Sequence, residues 1–104
     1  MNIKAIIFDL DGTLIDSFPA ITIILNQVFT DNNLKENSSN VYRDQIGYGL
    51  EVLIEDLLPE NMKSKELAYK MANDYRVIYN KHWKRDTTVY PGVIEILDNL
   101  QKQK

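Results

Sequence analysis

The first hydrophobic positions of the chain form a short continuous run. Residues 3–8, Ile-Lys-Ala-Ile-Ile-Phe, are apolar on both faces apart from Lys4, which is typical of a strand that is buried on both sides in a parallel sheet. Such a strand needs neighbouring strands, and the remaining sequence offers no other run of this kind. We therefore expect the sheet to be completed by residues beyond position 104 or by another chain.

Beyond this run, apolar residues recur at helical spacing in five segments. The first helix is predicted to begin at Asp16 or Ser17, with Pro19 in its first turn, and to end at residues 31–33. Four more helices are predicted, from Ser39 or Asn40 to Ile46, from Leu50 to Leu58, from Ser64 to about His82, and from Val93 to Gln101. Residues 87–90 are predicted to be extended, and the last helix is expected to turn Val93, Ile96, Leu97 and Leu100 inward.

Composition limits the functional classes. The chain has 104 residues, enough for one small domain, and its net charge of −3 gives no general attraction to nucleic acid or to an anionic membrane. The absence of cysteine excludes a thiolate metal site and a cysteine nucleophile. No stretch approaches the roughly 20 apolar residues of a membrane span, so a cytoplasmic location is expected.

Two carboxylates follow the apolar run directly. Asp9 and Asp11 are two positions apart, so in extended geometry they point to the same side. They also follow the carboxyl end of the predicted strand, where open α/β sheets bind ligands. Their mutual repulsion is offset by a hard cation such as Mg²⁺, which prefers oxygen ligands. The alternatives are turn or capping residues, and a calcium loop, which is excluded because Gly12 and Ala20 occupy the wrong positions.

The segment that holds these carboxylates, Phe8-Asp9-Leu10-Asp11-Gly12-Thr13, resembles the first motif of the haloacid dehalogenase-like hydrolases. Residues 14–17 are similar to the phosphoglycolate phosphatase and β-phosphoglucomutase branch of that family. Arg43 with residues 46–49 resembles the substrate-facing segment of the inserted cap in that branch, and residues 90–93 resemble its return to the core. The resemblance covers nearly the whole chain, although only the first motif is highly specific.

The resemblance implies an α/β fold with a Rossmann-like core and an inserted α-helical cap. This chain would contain only the first strand and one helix of the core, and would therefore be mostly helical. Residues 1–16 would form the first core strand and catalytic loop, residues 17–86 the helical cap, and residues 87–104 the return to the core. The natural polypeptide is expected to be longer than this piece.

The resemblance also implies the roles of individual residues. Asp9 would attack phosphorus and form an aspartyl-phosphate, and Asp11 would protonate the leaving oxygen and then activate water. Both would also hold Mg²⁺, Asp9 through its carboxylate and Asp11 through its backbone carbonyl. The remaining candidates would contact phosphate or substrate: Gly12, Thr13, Arg43, Gly47 and Tyr48. For the cap residues, a plain helix-helix turn at 47–49 and a surface salt bridge at Arg43 stay open as alternatives.

The expected function is Mg²⁺-dependent hydrolysis of a small phosphorylated metabolite. Two alternatives remain: a sugar-phosphate mutase, and a non-catalytic fragment that binds a larger partner. The family pattern continues with a Ser or Thr after a second strand, a phosphate-binding lysine and further carboxylates, none of which has a position in this sequence. The chain alone is therefore expected to be a weak catalyst.

Overall fold

The structure is a computed structural model and describes residues 3–103. Across these residues, five helices and two very short strands follow one another in the order β1, α1, α2, α3, α4, β2, α5. Their bounds are Ile15–Asp16 (β1), Phe18–Asp31 (α1), Ser39–Gln45 (α2), Leu50–Leu57 (α3), Lys65–His82 (α4), Thr88–Val89 (β2) and Val93–Lys102 (α5). Single 3₁₀ turns occupy residues 46–48, 60–62 and 83–86. The predicted helices are thus confirmed to within a residue or two at each end.

Helices α1 to α4 pack into one bundle, which holds the hydrophobic core. Helix α1 supplies the largest share because its apolar stripe is buried along nearly the whole length of the helix. The buried side chains of the core are Phe18, Ile21, Ile24, Leu25, Val28, Phe29, Tyr42, Leu53, Ile54, Leu58, Ala68, Met71, Ala72 and Tyr75. Close packing of such a set is the main favourable contribution to the stability of the bundle.

A polar network fastens the connection between α1 and α2 to this core. The Asn26 side-chain amide donates to the carbonyl of Asn37 at 2.9 Å, and the Asn37 backbone N–H donates back to Asn26 Oδ1 at 2.9 Å. The hydroxyl of the fully buried Tyr42 also donates to Asn26 Oδ1. Burial raises the pKa of Tyr42, and its hydrogen bonding with Asn37 partly opposes the rise. Each buried polar group of this network therefore has a partner.

Strands β1 and β2 bring together the two points at which the chain enters and leaves the bundle. They pair antiparallel, Ile15 with Val89 and Asp16 with Thr88. The N–H of Tyr90 extends the pairing by donating to the Leu14 carbonyl at 3.2 Å. The helical segment is therefore anchored at both ends by one short ladder.

The structure corrects two predictions about the ends of the chain. Residues 3–8 form no hydrogen-bonded strand, and Ile7 is 97% exposed, because the described residues supply no neighbouring strand. Helix α5 forms as predicted but buries none of its residues: Ile96 is 54% and Leu97 39% exposed. The radius of gyration is 17.1 Å, against about 13 Å for a compact domain of this length.

Within residues 3–103, no helix is both long enough and apolar enough to cross a membrane.

Candidate active site

The segment from Leu10 to Ile15 folds into a tight loop around one carbonyl oxygen. The Leu10 carbonyl accepts the N–H groups of Thr13, Leu14 and Ile15 at 3.4, 3.0 and 3.1 Å. The N–H of Gly12 donates to the Ile15 carbonyl at 2.9 Å. Gly12 has φ +78°, a conformation that glycine adopts without steric cost. The glycine that follows the paired carboxylates is therefore required by the turn.

Both candidate catalytic carboxylates are exposed on this loop. Asp9 Oδ1 accepts the N–H of Leu10 at 3.0 Å, which orients its side chain locally. Asp11 Oδ1 accepts a hydrogen bond of 2.8 Å from the hydroxyl of Ser17, a residue that is completely buried. The hydroxyl of Ser17 thus holds the Asp11 carboxylate at the boundary between the loop and α1.

Phe18 connects the loop to Arg43. A Cβ atom placed on Gly12 would lie 3.1 Å from the Phe18 ring, so the ring packs directly against the loop backbone. On α2, the Arg43 guanidinium carbon lies 4.5 Å from the centroid of the same ring, a distance typical of a cation–π contact. The structure therefore brings Arg43 close to the loop that carries Asp9 and Asp11.

A cleft of about 340 Å³ adjoins Arg43. Its walls combine apolar groups with hydroxyl and carboxylate groups: Asp16, Phe18, Pro19, Thr22, Ile23, Ser39 and Arg43. Asp16 Oδ1 and Thr22 Oγ1 are buried and have no hydrogen-bond partner among the described residues. The predicted residues Gly47 and Tyr48 are not among the lining residues; they lie on the 3₁₀ turn after α2, where Tyr48 is 76% exposed.

Two tyrosines of α4, Tyr75 and Tyr79, lie near enough to Asp11 for its charge to affect their pKa values. Burial raises the pKa of Tyr75, and the neighbouring Tyr79 and Asp11 raise it further through charge repulsion. Burial, followed by the charge of Asp11, also raises the pKa of Tyr79. The two rings stack with centroids 5.4 Å apart. Near Asp11, α4 therefore presents neutral phenols.

The oxygen atoms of Asp9 and Asp11 could bind a hard cation, but they are too few for a complete metal site. The ion pairs of residues 3–103 all lie in the bundle, so neither Asp9 nor Asp11 is neutralised by a lysine or arginine. No hydrogen bond within the described residues ends on the Asp11 carbonyl. Two carboxylates and a carbonyl are ligands that Mg²⁺ accepts. Across residues 3–103, however, no group of three or more acidic or histidine side chains could hold a metal, so further ligands must come from elsewhere.

Sequence reasoning missed Ser17 as a partner of Asp11 and Phe18 as a neighbour of Gly12. The sequence predicts Ser17 as one of two possible caps of the first helix and as part of the family-like segment of residues 14–17, yet its side chain makes no capping bond and donates to Asp11 instead. Its position after the carboxylate motif and next to a helix start was the available signal. Phe18 gave no signal of its own, because an aromatic residue at the start of an amphipathic helix is ordinary core composition.

Comparison with known proteins agrees with this geometry. The family model of haloacid dehalogenase-like hydrolases matches residues 6–104. The phosphoglycolate phosphatase of Vibrio parahaemolyticus is 32% identical, with 97% of this chain and 46% of that protein covered. That of Nitrosococcus oceani is 31% identical, with 96% and 46% covered. A crystal structure of a predicted phosphoglycolate phosphatase from Haemophilus somnus superposes with a TM-score of 0.77 at 27% identity, covering 90% of this chain and 44% of that one.

The chain therefore spans about half the length of the curated relatives that it matches. The match nevertheless includes the loop with both carboxylates, the whole helical bundle and α5, and it runs through almost every described residue. A family model that covers this much of a chain establishes its family. The chain belongs to the haloacid dehalogenase-like hydrolases.

Proposed function

We propose that this chain carries the nucleophile and the general acid of a Mg²⁺-dependent phosphomonoester hydrolase that acts on a small phosphorylated metabolite, as a phosphoglycolate phosphatase does. The observation that carries the proposal is the loop itself. It exposes Asp9 and Asp11 together, and a buried hydroxyl from Ser17 orients Asp11. The names of the related proteins support the same class of reaction.

In the first step, an Asp9 carboxylate oxygen attacks the phosphorus atom of the substrate. The new bond joins that oxygen to phosphorus, while the bond from phosphorus to the ester oxygen breaks. Asp11 donates its proton to the departing oxygen, which leaves as an alcohol. Bound Mg²⁺ would supply charge neutralisation between the anionic nucleophile and the anionic phosphate. Asp9 and the Asp11 carbonyl would hold it.

In the second step, Asp11 accepts a proton from a water molecule, whose oxygen attacks the phosphorus of the aspartyl-phosphate. The bond between Asp9 and phosphorus breaks, which releases phosphate and restores the carboxylate. The Ser17 hydroxyl supports both steps because it donates to one Asp11 oxygen and leaves the other available for proton transfer. The Gly12 backbone, lacking a side chain, and Thr13 would contact the phosphate.

The helical segment would act as a cap over this loop. We place its boundaries at residues 17–86, between a core segment of residues 1–16 and a return segment of residues 87–104. The β1–β2 ladder supports this division, because the chain enters the helical segment just after β1 and leaves it through β2. Arg43, held on the Phe18 ring, would pair with an anionic group of the substrate, with Gly47 and Tyr48 on the adjoining turn. A cytoplasmic location is part of the proposal.

The test is hydrolysis of an aryl phosphate by the purified chain, with and without Mg²⁺. Asp9→Asn is compared with Asp31→Asn, which changes an exposed carboxylate at the end of α1. Because the chain alone is expected to be a weak catalyst, we expect a slow metal-dependent turnover that is lost in Asp9→Asn and retained in Asp31→Asn. Acid quench followed by intact-mass measurement should detect a phosphoryl adduct that Asp9→Asn lacks. Turnover that survives Asp9→Asn would contradict the proposal.

A further inference from the structure

The position of Arg43 depends on what fixes the short helix that carries it. Helix α2 has 7 residues, and Ser38 at its N-cap makes no side-chain capping bond. Isolated helices shorter than about 12 residues are marginal in water, so contacts with the rest of the bundle must hold α2 in place. The Arg43 side chain is exposed, lies on the Phe18 ring and forms no ion pair within the described residues. Because a cation–π contact at an exposed site is weak, other residues must decide where the Arg43 guanidinium lies.

Tyr42 is the residue that attaches α2 to the core. Among the described residues of α2 it alone is buried, and its ring packs against that of Phe29 with centroids 6.3 Å apart. Consecutive residues of an α-helix point about 100° apart around its axis. When Tyr42 points into the core, the next residue, Arg43, is therefore directed along the surface of the bundle toward Phe18. A rotation of α2 that displaced Tyr42 would carry Arg43 off that ring.

One side chain of α1, Asn26, fixes this rotation. Its Oδ1 accepts the Tyr42 hydroxyl and, at 2.9 Å, the N–H of Asn37, while its amide donates to the Asn37 carbonyl at 2.9 Å. Asn37 precedes α2, so the same side chain holds the approach to the helix and its buried residue. Phe18, on which Arg43 lies, belongs to the same helix as Asn26. Helix α1 therefore both orients α2 and supplies the ring that receives Arg43.

Burial alone would not require a polar network at this place. Apolar side chains would fill the same space, whereas hydrogen bonds also have direction, so a paired buried network specifies one arrangement of the elements that it joins. We infer that Asn26 and Tyr42 are positioning residues for substrate binding, because they hold α2 in the rotation that places Arg43 on the Phe18 ring.

This role rests on the proposed function, in which Arg43 pairs with an anionic group of the substrate. It adds a requirement on the substrate class. A phosphomonoester that carries a second anionic group should bind more tightly than one that lacks it, and this advantage should depend on the Tyr42 hydroxyl.

The first measurement needs no ligand. In nuclear magnetic resonance spectra of the chain, the side-chain protons of Arg43 should be shifted upfield, because they lie over the face of the Phe18 ring. Tyr42→Phe removes one hydroxyl and leaves Asn26 Oδ1 bonded to the Asn37 N–H, so the variant should fold. We expect the upfield shift to shrink in Tyr42→Phe, and also in Asn26→Leu.

Val28→Ala is the matched control for lost stability. Val28 lies on α1 and is 1% exposed, so the substitution opens a cavity in the same core and leaves the hydrogen bonds of Asn26 intact. We expect it to leave the Arg43 protons where they are in the unaltered chain. Equal responses to Val28→Ala and Tyr42→Phe would show that general loosening of the core, rather than the network, controls the position of Arg43.

The second measurement compares two ligands that differ by one carboxylate, phenylphosphonate and 4-carboxyphenylphosphonate. Neither is hydrolysed, so their dissociation constants are measured in the presence of Mg²⁺ without turnover. We expect the unaltered chain to bind the carboxylated ligand at least about tenfold more tightly, through one charge-assisted pair with Arg43. Arg43→Gln should abolish this preference, Tyr42→Phe should reduce it about threefold or more, and Val28→Ala should preserve it.

The positioning role would be overturned if the Arg43 shift and the ligand preference both survive Tyr42→Phe, or if Val28→Ala lowers the preference as much. Equal binding of both phosphonates by the unaltered chain would show that Arg43 does not serve the substrate. Binding of neither phosphonate would instead contradict the proposed function. The shift of the Arg43 protons would still decide whether Asn26 and Tyr42 hold Arg43 in place.

Discussion

At the scale of single residues, the loop after residue 9 depends on backbone geometry as much as on its carboxylates. Gly12 has φ +78°, and its Cα faces the Phe18 ring. That ring in turn supports the Arg43 guanidinium at 4.5 Å. A side chain at position 12 would therefore strain the turn and displace the ring on which Arg43 lies. Backbone conformation, ring packing and the placement of the cation are coupled through this one position.

Gly12→Ala is expected to destabilise the protein by about 1–2 kcal/mol, the usual cost of a left-handed conformation for a residue with a Cβ. The contact of 3.1 Å with Phe18 adds to this cost. Gly47→Ala is the control, because no atom lies within 4 Å of the added Cβ and the backbone there needs no positive φ. It should change the free energy of unfolding by less than about 0.5 kcal/mol. Urea denaturation of both variants measures the difference, and equal effects would contradict the interpretation.

At the scale of elements, the end of α1 shows how local chemistry sets a boundary. Asn33 has φ +60°, its N–H donates to the Thr30 carbonyl at 3.0 Å, and the Leu34 N–H donates to the Phe29 carbonyl at 2.9 Å. These are the two bonds of a Schellman ending. Leu34 then packs against the core. The helix ends where an asparagine accepts the left-handed conformation and an apolar residue follows.

Asn33→Gly is expected to stabilise the protein by a few tenths of a kcal/mol, up to about 1 kcal/mol, because glycine adopts this conformation without strain. Asn80→Gly, at an exposed position inside α4, should have the opposite sign and cost about 0.5 kcal/mol or less. Thermal and urea unfolding of the two variants provide the comparison. A loss of stability in Asn33→Gly would mean that the asparagine side chain makes a contribution that its backbone conformation does not explain.

The contact between α3 and α4 includes an ion pair that depends on pH. Arg76 donates to Glu51 Oε1 at 2.7 Å, and this hydrogen bond lowers the pKa of Glu51. Because the pKa of Glu51 is lower in the folded state, the ion pair stabilises the protein at pH values above the unfolded-state pKa, near about 4.3. This contribution is lost as the pH falls through the folded-state pKa. Both side chains are well exposed, so the pair should contribute less than about 1 kcal/mol.

Glu51→Gln should therefore reduce the free energy of unfolding at pH 7 and have almost no effect at pH 3. Arg76→Gln should reproduce this profile, and the double variant should add little to either. Urea unfolding across pH 3–7 measures the profiles at low salt, where screening is weak. A Glu51→Gln effect that is the same at both pH values would show that the carboxylate charge is not responsible.

The helices could be predicted from the sequence because their signals are local. Pro19 in the first turn of α1 and Pro59 after α3 mark two boundaries, and the Ser64 hydroxyl caps α4 by accepting the Leu67 N–H at 3.2 Å. The placement of residues 3–8 and of α5 was not predictable in the same way. Their apolar patterns indicate which side chains favour burial, but among residues 3–103 no partner covers them.

At the scale of the whole molecule, the described chain consists of one packed bundle with two unburied ends. The core is drawn entirely from residues 18–75, while the segment of residues 3–8 and α5 bury no side chain. Principal extents of 56 × 29 × 22 Å reflect this arrangement. Stability should therefore reside in α1 to α4, and the ends should be available for a different contact.

A variant that ends at Gly92 tests this division. Because α5 buries none of its residues, its removal should change the free energy of unfolding by less than about 0.5 kcal/mol. Phe29→Ala, at a site only 1% exposed, should instead cost about 3–5 kcal/mol, since it opens a cavity in the core. Urea unfolding followed by far-UV circular dichroism measures both. A loss of several kcal/mol in the shortened variant would show that α5 packs on the bundle in solution.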